Sequence, residues 1–85
     1  MANIMMYATA VCPYCVAAER FLRVKGVTAI EKVRVDLVPE RRIEMMKRTG
    51  RRTVPQIYIG NTYVGGYEDL VALDQQGELD PLLQT

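Results

Sequence analysis

Two cysteines separated by two residues, Cys12 and Cys15, are the pair of side chains in this sequence whose spacing suits redox chemistry. The apolar run at residues 4–7 is long enough for a buried strand, and residues 16–25 have the spacing of a helix. Pro13 suits a first helical turn, which would put Cys12 at or beside the helix N-cap. Free N–H groups and the positive end of the helix dipole would stabilise a sulfur anion there.

A cysteine in such a position has its thiol pKa lowered from ~8.5 to roughly 3.5–7.5, and the thiolate is the reactive form. Cys15 would lie one helical turn further on, close enough to form a small disulfide with Cys12. The arrangement predicts thiol–disulfide exchange. A structural disulfide would enclose a very short loop and gain little, and a zinc site normally needs four ligands. The sequence has two Cys and no His. A structural disulfide, a zinc site and two inert thiols therefore remain as alternatives, each less favoured than redox chemistry.

Length and composition indicate one small domain spanning residues 1–85. The hydrophobic content of 49% is sufficient for a core, and no apolar run reaches the ~20 residues of a membrane span. The first three residues do not resemble a signal peptide, so we expect a reducing, cytoplasmic setting, where such a cysteine pair is more often catalytic than structural. A net charge of +1 gives no general attraction to nucleic acid.

The basic residues are unevenly distributed. Six of the eleven fall between positions 41 and 52, whereas the stretch from 68 to 80 holds five acidic residues and no basic one. Most of these side chains are interpreted as a solvated helix face and a solvated tail. An alternative is that some of the arginines contact a small anionic substrate.

Hydrophobic periodicity predicts elements in the order βα, βα, ββ, αα and hence a four-stranded mixed sheet with helices on both faces. Within the second helix, Ile43 and Met46 are expected to face inward, and Asp80 is expected to be the N-cap of the last helical turn. The predicted strands are residues 4–7, 32–36, 56–59 and 62–64, and the predicted helices run from Pro13 to Gly26, from 39 to 48, from 67 to 75 and from 81 onward.

Two further motifs could contribute to a binding site. In Thr53-Val54-Pro55, a cis proline would turn the Val54 backbone outward to pair with an extended peptide, although these residues taken alone favour an ordinary strand entrance. In Gly65-Gly66-Tyr67-Glu68-Asp69, the glycines would let a ligand approach the free N–H groups of a helix start. The two acids also have a plain role in complementing the helix dipole.

The Cys-Pro-Tyr-Cys motif at 12–15, followed by these two motifs in this order, resembles a dithiol glutaredoxin of the small bacterial type over essentially the whole chain. The resemblance implies a thioredoxin-like fold with cis Pro55, and a glutathione-dependent disulfide oxidoreductase acting in cytoplasmic redox homeostasis. It assigns Cys12 as the catalytic nucleophile and Cys15 as the resolving thiol. The glutathione-binding residues it implies are Tyr14, Arg42, Arg51, Thr53, Val54, Pro55, Gly66, Tyr67, Glu68 and Asp69.

The same resemblance implies glutathione as co-substrate. We also expect a monomer with no permanently bound cofactor or metal, since two cysteines without histidine make a poor metal site, and no nucleic-acid or membrane partner. Its protein partners would be glutathionylated or disulfide-containing proteins, with ribonucleotide reductase among them by family analogy. One departure is Thr9, where many relatives carry a lysine near the nucleophile. The alternatives are a hydrogen donor reduced by a flavoprotein of the thioredoxin reductase type and, in another class, an iron–sulfur or metal-carrying module.

Overall fold

The computed structural model describes residues 2–84, which begin with a strand–helix–strand unit. Strand β1 spans Ile4–Ala8, helix α1 spans Pro13–Val24, and strand β2 spans Ile30–Arg34. The two strands are parallel, with Ile4 opposite Ile30. The sequence prediction placed β2 two residues too late. The alternation through Val33 and Val35 identifies which side of the strand is buried, but it does not show where hydrogen bonding to β1 begins.

The remaining elements complete a sheet in the strand order β2-β1-β3-β4. Strand β3 pairs antiparallel with both β1 and β4, so the sheet is mixed as predicted. The turn between β3 and β4 contains Gly60, whose φ of +59° suits a tight hairpin. The elements after β2 are α2 (Pro39–Thr49), β3 (Gln56–Ile59), β4 (Thr62–Gly65), α3 (Tyr67–Gln75) and α4 (Leu79–Leu83).

Apolar side chains on the two faces of the sheet form two separate clusters, which confirms that helices cover both faces. Alternate residues of β1 point to opposite sides, as the two-residue period of a strand requires. The larger cluster joins β1 and β3 to α1, α3 and α4 through residues such as Met6, Leu22 and Leu70. The smaller one packs Met45 of α2 against Tyr7, Val33, Val35 and Tyr58.

Two predictions about helical side chains were wrong. In α2 the inward residue is Met45, which is fully buried, whereas Ile43 is 50% exposed and Met46 is only partly buried. The apolar residues at 43, 45 and 46 do not define one stripe, so the sequence alone left the orientation of this helix undetermined. The last helix has Glu78, not Asp80, at its N-cap. It starts earlier because Leu79 as well as Leu83 packs into the core.

Across residues 2–84, no helix is both long enough and apolar enough to cross a membrane. The longest, α1, has 12 residues.

Candidate active site

Cys12 is the N-cap of α1 and is disulfide-bonded to Cys15, with their Cα atoms 5.2 Å apart. Pro13 occupies the first helical turn as predicted, and its fixed φ suits that place. The Cys15 N–H donates to Cys12 Sγ over 3.1 Å, so sulfur takes the place that a Ser or Asp oxygen usually has at a helix start. Cys12 is partly exposed and Cys15 is buried. Only Cys12 is therefore open to an incoming disulfide.

The loop that carries Thr53, Val54 and Pro55 lies directly beside this sulfur. The Val54–Pro55 peptide bond is cis, as the resemblance implied. Cys12 Sγ is 3.7 Å from the Val54 carbonyl oxygen. The backbone just before β3 is thus brought to the reactive end of α1.

A groove of about 380 Å³ opens next to the cysteine pair between the Val54 loop and the start of α3. It has a cationic side chain, Arg51, and two anionic ones, and the rings of Tyr14 and Tyr67 lie in it with centroids 6.2 Å apart. Its lining residues are Tyr14, Arg51, Thr53, Val54, Pro55, Gln56, Gly66, Tyr67, Glu68 and Asp69. Nine of the ten predicted binding residues therefore come together.

Arg42 is the predicted binding residue that does not line the groove. Its Nη1 donates to the Arg52 carbonyl oxygen over 3.1 Å. This bond ties α2 to the loop that carries Arg51.

Asp69 holds the start of α3 and pairs with Arg51 across the groove. Its Oδ2 accepts the Gly66 N–H at 2.9 Å and an Arg51 N–H at 2.8 Å. The Gly66 N–H bond and the Arg51 guanidinium together hold the pKa of the Asp69 carboxyl below its ordinary value. Gly65 has a φ of +112°, and a Cβ there would overlap the Asp69 carboxylate. A glycine at 65 is therefore needed for this arrangement.

Comparisons with known proteins agree with this geometry. The family model described as Glutaredoxin matches residues 4–64. The chain belongs to the glutaredoxin family. It is 49% identical over 83 residues to a glutaredoxin of Neisseria meningitidis serogroup A, with 98% of each chain covered. It is 48% identical over 84 residues to glutaredoxin 3 of Escherichia coli K12, with 99% of this chain and 100% of that one covered.

The fold comparison gives the same family. The solution structure of a glutaredoxin from Brucella melitensis superposes with a TM-score of 0.86 at 44% identity, covering 100% of this chain and 91% of that one. The fold is therefore thioredoxin-like, as the resemblance implied. As a glutaredoxin with two cysteines at disulfide distance on a helix N-terminus, the protein is a thiol–disulfide oxidoreductase.

Sequence reasoning missed one residue of this glutaredoxin's groove, Gln56. Its side chain is almost completely buried, at 1% exposure, and yet it lines the groove. The available signal was a polar residue in a four-residue strand whose other members are all apolar and buried. A polar side chain in such a run needs internal hydrogen-bond partners, which makes its surroundings worth inspecting.

Thr9 lines a separate cleft of about 160 Å³ on the Cys15 side of α1, together with Glu19, Lys32 and Arg34 among others. The next residue in this loop, Ala10, is held by a hydrogen bond, because its backbone N–H donates to Asp36 Oδ2 at 3.2 Å. Thr9 itself is absent from the groove lining. Residue 9 carries no charge, whereas Lys32 and Arg34 place positive charge in the same cleft.

Within residues 2–84, no group of three or more His, Cys, Asp and Glu side chains is placed to hold a metal ion. The redox chemistry that the described residues offer is that of the cysteine pair.

Proposed function

We propose that this chain is a glutathione-dependent oxidoreductase that reduces protein–glutathione mixed disulfides and protein disulfides. The observation that carries the proposal is the groove beside Cys12, which offers complementary groups to a small, multiply charged peptide. Glutathione has two carboxylates, one ammonium and two peptide links. We assign it to the groove as the source of electrons, with a cytoplasmic setting in which thiols are kept reduced.

Each charged end of glutathione has a counterpart among the lining residues. The Arg51 guanidinium suits the glycine carboxylate, because an arginine fork matches a planar anion. The N-terminus of α3 at Tyr67 and Glu68 suits the second carboxylate, and Asp69 suits the ammonium. The Val54 backbone suits pairing with the cysteine residue of glutathione as an added strand. Tyr14 and Tyr67 would flank the bound peptide.

Catalysis begins with the Cys12 thiolate, which the N-terminus of α1 stabilises. It attacks the glutathione sulfur of a mixed disulfide, so that one S–S bond forms and another breaks. The protein thiolate leaves and takes a proton from water. Cys12 now carries the glutathionyl group, which occupies the groove.

Two routes restore the enzyme. A second glutathione thiolate attacks the Cys12-bound glutathione, which releases glutathione disulfide and regenerates the Cys12 thiolate. Alternatively, Cys15 loses its proton and displaces glutathione, giving the Cys12–Cys15 disulfide found in this structure. Two glutathione molecules then reduce that disulfide, with net transfer of two electrons. Reduction of a protein disulfide needs this second thiol, because Cys12 must be freed from its mixed disulfide with the substrate.

A coupled assay with glutathione, glutathione reductase and NADPH tests the proposal. Wild type is compared with Cys12→Ser and Cys15→Ser on a glutathionylated peptide and on a protein disulfide. Cys12→Ser should abolish both activities, since the one remaining thiol, Cys15, is buried and is not open to an incoming disulfide. Cys15→Ser should retain deglutathionylation and lose protein-disulfide reduction. Equal loss in both variants would refute the assignment of roles, and turnover with a flavoprotein reductase but not with glutathione would refute the electron source.

A further inference from the structure

Gln56, the first residue of β3, makes three side-chain hydrogen bonds although it is almost completely buried. Its Nε2 donates to the Thr53 carbonyl oxygen at 2.9 Å and to Thr53 Oγ1 at 3.3 Å, while its Oε1 accepts the Tyr63 hydroxyl at 2.6 Å. The Thr53 carbonyl can only accept, so the amide nitrogen must face it and the amide oxygen must face Tyr63. The orientation of this amide is fixed by its surroundings.

The Thr53 carbonyl depends on this side chain because of the proline that follows. Pro55 has no N–H, so the residue two positions along the chain offers no backbone donor to Thr53. The Gln56 amide supplies that donor instead, and the Tyr63 hydroxyl of β4 holds the amide in place. The loop entering β3 is thereby bonded to the neighbouring strand through two side chains.

The segment held in this way is the one that faces the nucleophile. Val54 follows Thr53 directly, and its carbonyl oxygen lies 3.7 Å from Cys12 Sγ. Thr53, Val54 and Gln56 all line the groove. On the other side, the Arg51 guanidinium lies over the Tyr63 ring, 6.0 Å from its centroid. The Tyr63–Gln56–Thr53 bonds therefore connect two walls of the site.

We propose that Gln56 is a positioning residue for substrate binding, which holds the Thr53–Val54 backbone in register with the Cys12 sulfur through its bonds to Tyr63 and Thr53. The inference rests on the proposed function, because it concerns how glutathione is held. It requires that Gln56 act through the Val54 backbone on binding of the glutathionyl group. It does not require any effect of Gln56 on the intrinsic reactivity of Cys12.

The test uses Gln56→Met, which keeps the length of the side chain and removes its hydrogen bonds. In a Cys15→Ser background, KM for a glutathionylated peptide should rise roughly fivefold to twentyfold, as expected for the loss of one or two hydrogen bonds. The value of kcat and the rate of Cys12 alkylation by iodoacetamide, which does not use the groove, should stay within about twofold of the parent.

Tyr63→Phe provides a milder second variant, expected to raise KM roughly twofold to fivefold. Its matched control is Tyr58→Phe, which removes a hydroxyl from the facing strand outside this chain of bonds and should leave KM unchanged. The double variant Gln56→Met/Tyr63→Phe should be no worse than Gln56→Met alone, because the Tyr63 bond acts through Gln56. If Gln56→Met does not fold, the two tyrosine variants still decide the question.

An unchanged KM in Gln56→Met, or in Tyr63→Phe where that variant alone is folded, would overturn the inference. An equal fall in kcat and in alkylation rate would also overturn it, because that pattern reports a general structural loss. These outcomes are distinct from failure of the proposed function, which would appear as a wild type without glutathione-dependent turnover.

Discussion

Asp69 is expected to contribute both to the stability of this glutaredoxin and to ligand binding, and two substitutions separate its contributions. Asp69→Ala removes the acceptor for the Gly66 N–H and the ion pair with Arg51. Asp69→Asn removes the charge but keeps a side-chain oxygen that can accept the Gly66 N–H. The difference between the two variants therefore measures the neutral hydrogen bond at the start of α3.

The magnitudes follow from the exposure of the pair. The side chains of Arg51 and Asp69 are 49% and 43% exposed, so solvent screening limits the ion pair to at most ~0.5 kcal/mol. The helix-start hydrogen bond contributes ~1 kcal/mol. Asp69→Ala should thus lose ~1.5 kcal/mol and Asp69→Asn ~0.5 kcal/mol. At roughly 4–8 °C per kcal/mol for a domain of this size, these losses correspond to Tm decreases of about 6–12 °C and 2–4 °C.

The pH dependence of this contribution has a definite sign. The folded pKa of Asp69 lies below its ordinary value of 3.8, so the unfolded chain binds the proton more readily than the folded one does. The stabilisation by the charged carboxylate is complete above the unfolded pKa. It is lost as the pH falls through the folded pKa. The gap in stability between wild type and Asp69→Asn should therefore be constant near pH 7 and shrink below about pH 4.

Urea unfolding followed by circular dichroism, repeated between pH 2 and pH 8, measures all three proteins. Equal destabilisation by Asn and Ala at pH 7 would show that the Gly66 hydrogen bond contributes nothing. If the difference in unfolding free energy between wild type and Asp69→Asn stayed constant below pH 4, the carboxylate charge would not be the cause of that difference. Isothermal titration with glutathione adds a functional readout, in which both variants should bind more weakly because the ammonium loses its partner.

Two further perturbations test the surroundings of the cysteine pair and of the groove. Gly65→Ala should lower Tm more than Gly77→Ala, because both place a side chain at positive φ but only the alanine at 65 overlaps the Asp69 carboxylate; equal decreases would show that overlap costs nothing. Thr9→Lys should lower the pKa of Cys12 by about half a unit to one unit, measured by thiolate absorbance in a Cys15→Ser background, and the change should shrink in high salt. An unchanged pKa would mean that residue 9 acts on the cleft beside Cys15 and not on Cys12.

The cysteine end of the site was predictable because local chemistry determines it. Proline after Cys12 and helical spacing beyond it are enough to place a sulfur at the N-cap, and the structure confirms this. The sheet was predictable for a similar reason, since strand alternation and a glycine turn determine the β3–β4 hairpin. The ends of the strands were less predictable. Strand β2 starts at Ile30 because that residue pairs with Ile4 of β1, whereas the hydrophobic pattern of β2 does not indicate where pairing starts.

The parts that sequence reasoning missed depend on contacts between distant residues. Gln56 is a polar residue in an apolar strand, but the sequence does not show that its side chain bonds to Tyr63 on another strand and to Thr53 on the other side of the proline. Arg42 has the right charge for a carboxylate, and the sequence does not reveal the hydrogen bond that its Nη1 donates to the Arg52 carbonyl oxygen. Met45 is buried because of the packing of Tyr7 and Tyr58, which helical periodicity in α2 does not encode.

The use of a sulfur as the cap of α1 makes one backbone amide a reporter of the redox state. The Cys15 N–H donates to Cys12 Sγ, which is a bridging sulfur in this structure and becomes a thiolate in the proposed mechanism. An anionic acceptor makes a stronger hydrogen bond than a neutral one, so this amide should exchange its proton with solvent more slowly after reduction. Cys12, the proposed nucleophile, is also the N-cap of α1. The proposed cycle would therefore change the strength of the hydrogen bond that caps α1 each time the cysteine pair is reduced or oxidised.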